Sequence, residues 1–181
     1  MQSNTARELE GLLAEQGYRD FRWIDPRQIV VAQWVRMKCQ FGCREYGRNA
    51  SCPPNVPAVG ECARFFGEYR RAAIFHFPMA LEDPEQRHAW SREVNRRLLG
   101  LERAVFLQGH PRAFLLFMDS CGLCQQCAGS RQECKDPRSA RPTPEAMAVD
   151  VFSTVRKVGF PIQVLPGYRE TMNRYAFLLV E

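Results

Sequence analysis

Histidine is scarce in this chain: His76, His88 and His110 are the three in 181 residues. None lies near a cysteine in sequence, which weighs against a thiol nucleophile activated by a neighbouring imidazole. No stretch approaches the roughly 20 apolar residues of a membrane-spanning helix. The opening "MQSNTARELE" has no apolar run behind a basic segment, so it does not read as a secretory leader. Repeats and low-complexity tracts are absent. The charge is not concentrated either: 25 basic and 20 acidic residues give a net +5, with arginines scattered among acids. A nucleic-acid surface would gather them into a stripe. The expectation is a cytoplasmic protein, neither bound to nucleic acid nor set in a membrane, folded as one domain over residues 1–181.

What the chain has is cysteine, eight in all. Cys39, Cys43, Cys52 and Cys62 fall in one segment, and Cys121, Cys124, Cys127 and Cys134 in another; residues 63–120 contain none. Scattered core thiols would not cluster in this way. In a reducing compartment such clustering favours metal ligation or catalysis over disulfides.

Periodicity places both segments in an α/β pattern. A first helix is expected from a capping box of Thr5 and Glu8 to Gly17, and a β-branched strand over 28–35. A helix follows over 58–69, then a strand "AAIFHFP" (72–78). "DPEQ", with Asp83 as cap and Pro84 in the first turn, opens a long helix carrying Trp90, Val94, Leu98, Leu101 and Val105. A third strand is expected at 113–119. A helix from Thr143 and Pro144 carries Met147, Val151 and Val155. Strands at 161–166 and 174–180 close the pattern, paired about Gly167. The sum is a mixed sheet of about five strands flanked by helices. Both cysteine segments would follow strands and emerge at one sheet edge as two cysteine-rich metal-binding loops.

The second segment, "CGLCQQCAGSRQEC", steps C-x2-C-x2-C and then C-x6-C. Three evenly stepped thiolates in a tight loop can surround one small object. The step resembles a ferredoxin run for an iron–sulfur cluster, although that run ends C-x3-C-P. Structural zinc draws paired cysteines or histidines from separate elements and is the alternative. The first segment, "CQFGCREYGRNASCPPNVP", gives C-x3-C-x8-C. Its turn formers Gly42, Gly47 and Asn49, and the prolines after Cys52, suit a loop wrapped about a metal. One or two 4Fe-4S clusters are therefore the expected cofactors. Cys62 sits in register with Ala58, Phe65, Phe66 and Tyr69, so the helix pattern points it into the core, with ligation the other reading.

The pairing of "CREYGRNASCPPNVP" with "CGLCQQCAGSRQECKDPRSARPTPEAMAVDV" resembles the cysteine-rich family catalogued as domain of unknown function 2284, a family of predicted metal-binding proteins. The resemblance implies metal binding and iron–sulfur chemistry, and no particular reaction. It matches Cys39, Cys43, Cys52, Cys121, Cys124, Cys127 and Cys134 to family cysteines.

His76, inside an apolar strand, reads as a satisfied, partly buried histidine. Arg48, Arg131, Lys135, Arg138 and Arg141 flank the cysteines, either as solvated loop charge or as counter-charge to a cluster that attracts an acidic redox protein. Asp119 and Glu145 read as turn and helix-dipole residues. Three functions stay open: an electron-transfer or redox accessory protein, an enzyme with an open iron position, and a zinc-stabilised interaction module.

Overall fold

The computed structural model describes residues 2–80, 83, 86–167 and 170–181, with the side chains of 2–5 left aside. Four antiparallel strands, β1 (Phe21–Ile24), β2 (Ala72–Met79), β3 (Phe114–Leu116) and β4 (Met172–Leu179), form one sheet in the order β1-β2-β4-β3. The long interior pair β2 and β4 runs in full register from Ala72↔Leu179 to Met79↔Met172.

Helices cover both faces, so the molecule has three layers. Period-2 alternation divides each interior strand between two cores. Phe75, Leu115 and Leu178 pack under α1 (Gln2–Glu15) and α4 (Gln86–Leu107), against Leu9, Leu13 and Leu98. Ile74, Leu116 and Phe177 point the other way, against Phe66 of α3 (Val59–Gly67) and Val155 of α5 (Val151–Lys157). Burial on both faces explains why "YAFLLV" reads as a continuous apolar run. Each such side chain contributes about 1.5–3 kcal/mol.

Several expectations are corrected. Among the described residues there are four strands where about five were expected, and β1 was not anticipated. Residues 28–35 form no strand. A 3-10 turn (Pro26–Gln28) is followed by an irregular stretch and then by α2 (Gln33–Gly42). Ile29, Val30 and Val31 are apolar because they pack beside α5: the Val30 N–H donates to Thr154 Oγ1, and Val31 bridges Val149. The helix expected from Thr143 to Gly159 is split. Residues 144–148 make one turn, Ala148 takes φ +60°, and α5 starts only after Asp150 caps the Ser153 N–H. Residues 161–166 form no strand, so among the described residues there is no hairpin about Gly167. The third strand is shorter, 114–116. Helix α1 begins at Gln2, three residues before the expected cap; the Thr5 side chain and Pro84 lie outside the described residues.

Candidate metal centre

The first cysteine segment begins on a helix rather than after a strand. Cys39 lies in the last turns of α2, and the Cys43 N–H closes that helix on the Cys39 carbonyl at 3.2 Å. Arg36 anchors α2 from beneath, donating to the carbonyls of Pro57 and Ala146. The chain then loops back. Gly47, at φ +72°, donates to the Pro53 carbonyl, and Cys52 N–H to the Asn49 carbonyl. Buried Asn49 holds this turn by accepting from both the N–H and the hydroxyl of Ser51. Cys39, Cys43 and Cys52 thereby line one hollow of about 160 Å³, together with Ser120, Glu145 and Arg174.

Cys121, Cys124, Cys127 and Cys134 line a second, tighter hollow of about 30 Å³. Residues 119–142 carry no helix or strand. Gly122 sits at φ +54°, where a Cβ would press the Ser120 carbonyl at 3.4 Å and be strained regardless. Gly129 is likewise left-handed, and its carbonyl accepts from Asn55 at 2.8 Å.

The two segments meet by interlocking, where a shared sheet edge was expected. The Ala50 N–H donates to Cys127 Sγ at 3.3 Å. The Ser120 side chain lies against Cys52 and the Ser51 side chain against Cys121, each acting against the effect of burial on that thiol. Each hollow thus meets a polar group of the other segment.

Buried polar residues on α4 secure the second segment at both ends, and sequence reasoning missed them. Ser91 donates to the Asp119 carboxylate at 3.1 Å, and Asn95 reaches the carbonyls of Asp119 and Ser120 at 3.4 Å. Glu102 accepts the Leu115 N–H at 2.9 Å and pairs with Arg141 at 2.8 Å. The available signal was three polar residues, 91, 95 and 102, recurring on a helix face otherwise given to Val94, Leu98 and Leu101.

Burial disfavours the charged form of three of these thiols, Cys39, Cys52 and Cys121. Burial pushes Cys52 up to about 12, offset in part by Ser120 and reinforced by Cys43 and Cys39. Burial also raises Cys39 and Cys121; for Cys121 the N–H groups of Leu123 and Arg141 act in the opposite direction. Among the described residues, no three His, Cys, Asp or Glu side chains stand as a ready-made site for a single ion. The donor set nonetheless fits a thiolate-ligated cluster, because N–H groups and serine side chains face the sulfurs. Holding a cluster requires the second hollow to widen, and its irregular loop offers no regular structure to resist.

Cys62 takes neither place. It is fully buried in the α3 face of the core, with its sulfur 3.5 Å from the Pro57 carbonyl and 3.9 Å from Met147 Sδ. His76 is satisfied as expected, Nδ1 to Asp20 and Nε2 to Asn173, both at 2.7 Å. Two other readings change. Arg141 is neither solvated nor cluster-facing, since its guanidinium is committed to Glu102. Glu145 lies on no helix; it retains water contact inside the first hollow, but crowding by surrounding protein raises its carboxyl pKa by desolvation. Arg48, Lys135 and Arg138 are exposed, and Arg131 donates to the Pro137 carbonyl.

A model of the family described as predicted metal-binding protein (DUF2284) matches residues 22–180. No curated protein and no solved structure matches.

Proposed function

Since the chain belongs to the DUF2284 family of predicted metal-binding proteins, we propose that the metal is an iron–sulfur cluster and that the protein serves redox chemistry. Cys121, Cys124, Cys127 and Cys134 would hold a 4Fe-4S cluster, and Cys39, Cys43 and Cys52 a second metal group. The observation that carries this reading is the meeting of four stepped thiols in one hollow with the Ala50 N–H aimed at one of their sulfurs. Donation to sulfur stabilises the thiolate form and tunes the potential of a thiolate-bound cluster. Such a cluster supplies one-electron transfer. Exposed Arg48, Lys135 and Arg138 near the two segments would favour an acidic redox protein as partner.

A second reading draws on Cys62. With that thiol in the core, three cysteines remain at the first hollow, and a three-cysteine site leaves a position for another ligand. On that reading the first hollow is catalytic. Zinc at the paired segments is the non-redox alternative. Iron, acid-labile sulfide and zinc counts on anaerobically purified protein separate these possibilities. Iron and sulfide in equal amounts, with absorption near 400 nm, support the cluster; a colourless zinc protein overturns it.

A further inference from the structure

A groove of about 940 Å³ runs along α2 and opens onto the first cysteine hollow. Trp34, Met37 and Phe41, at i, i+3 and i+7 of α2, form one apolar stripe along it. They are 49%, 43% and 76% exposed, so this helix turns large hydrophobic side chains to solvent instead of to the core. Cys39, Cys43, Met118, Glu145 and Arg174 line both the groove and the first hollow. The second hollow shares no lining residue with the groove. A molecule lying in the groove therefore reaches one cysteine site and not the other. The volume falls within the range of roughly 300–1,000 Å³ for small-molecule sites.

The charges facing the groove are unequal in what they already hold. The Asp150 carboxylate accepts from the Ser153 N–H and hydroxyl at 3.0 and 2.5 Å. Glu145 is engaged by the Thr143 side chain and by its own main chain. The cations are less occupied. Arg174 pairs loosely with the Asp119 carboxylate at 3.8 Å, donates to the Met172 sulfur at 3.9 Å and acts on Glu145, contacts that leave some of its five N–H donors over. The Lys38 ammonium lies over the Trp34 ring at 5.5 Å and makes no ion pair among the described residues. Spare donors on cations, beside carboxylates already satisfied, select an anion.

We propose that the groove binds a small amphipathic acid. Its apolar body lies against Trp34, Met37 and Phe41, and its anionic end meets Arg174 beside Cys39 and Cys43. The binding itself stands on the groove alone. Presentation of the acid to a metal rests on the reading that Cys39, Cys43 and Cys52 hold one.

The test titrates dodecanoate into the purified, metal-loaded full chain, following heat and tryptophan fluorescence, with dodecyltrimethylammonium as the probe of opposite charge. One dodecanoate per chain is expected, bound at least tenfold more tightly than the ammonium probe. Met37→Glu, an exposed and helix-compatible change, should weaken dodecanoate at least tenfold. Arg174→Gln should abolish the preference between the two head groups. Equal affinity for both probes, indifference to Met37→Glu, or a self-associated chain whose dimer shuts dodecanoate out would each overturn the proposal. Saturation should also shift the visible absorption of the bound metal. Binding without that shift overturns the presentation of the acid to the metal. Metal content in Cys43→Ser separates the two layers: if it equals that of the parent while dodecanoate still binds, the groove stands and the first metal site falls.

Discussion

The main-chain N–H of Ala50, in the first cysteine segment, donates to the sulfur of Cys127, in the second, at 3.3 Å. Residues 77 apart in sequence are joined at a candidate ligand, so neither segment takes its final shape without the other. The Ser120 side chain, beside Cys52, repeats the arrangement in the other direction.

Replacing Cys124 by serine tests the second hollow directly. A hydroxyl is a poor substitute for a soft thiolate, so bound iron should fall by about one cluster per chain. Iron and sulfide analysis reads the outcome, and unchanged iron would remove Cys124 from the ligand set.

Cys62→Ala should keep all of its metal and the parent's visible spectrum. It should lose about 1–2 kcal/mol in denaturant unfolding, because a fully buried sulfur is deleted between Pro57 and Met147. Loss of a metal group in this variant would place Cys62 at a site instead.

Metal removal should act locally. Residues 43–56 and 119–142 have few main-chain ladders, so their amide exchange should accelerate on chelation while β2 and β4 stay protected. Hydrogen exchange by mass spectrometry resolves the two regions; equal protection with and without metal would contradict the expectation.

Arg141→Met should cost about 3 kcal/mol, because it leaves the Glu102 carboxylate, with its side chain 9% exposed, without its cation. Glu102 also accepts from Leu115, so the loss should spread to β3 and to the far end of the second cysteine segment. Thermal unfolding measures the first effect and metal retention on dilution the second.

At high pH the stability should depend on Tyr175. Burial, with Asp20 adding to it, raises this phenol from its ordinary value near 10 to about 12, and its hydroxyl donates to the Pro161 carbonyl. The neutral form is therefore the one the fold favours. That stability is complete below pH 10 and is lost as pH rises toward 12. Tyr175→Phe should flatten the loss across this window in denaturant titrations at stepped pH.

The elements legible in the sequence are those whose periodicity reflects two-sided packing. Helix α4 announced itself through Val94, Leu98, Leu101 and Val105, and β2 and β4 through short apolar runs such as "AAIF" and "YAFLL". The failures share a physical cause. Ile29, Val30 and Val31 are β-branched because they are wedged beside α5, a tertiary fact with no local signature. The break at Ala148 hides inside a good helical pattern, since nothing in an alanine signals a positive φ. The clustering of Cys39, Cys43 and Cys52 apart from Cys121, Cys124, Cys127 and Cys134 could be read from spacing. Ser91, Asn95 and Glu102 stand out as polar positions on an apolar face of α4, but what they hold could not be read, because their partners lie 13 to 39 residues away.

The sheet order carries a consequence for biosynthesis. β4 is an interior strand, yet of the four it is the last to be made, and it brings Arg174 to the first cysteine hollow. During translation β1 and β2 can pair early, but β3 must wait, since among the described residues it pairs with β4 alone. All eight thiols leave the ribosome before the strand that closes the sheet behind them. At about 5–20 residues per second, the stretch from Cys134 to Leu179 leaves an interval of seconds in which the cysteines are exposed to oxidants and stray metal ions. Metal delivered within that interval would meet an incomplete chain; delivered later, it would meet Cys43 and Cys127 at the surface and the other loop cysteines half-buried.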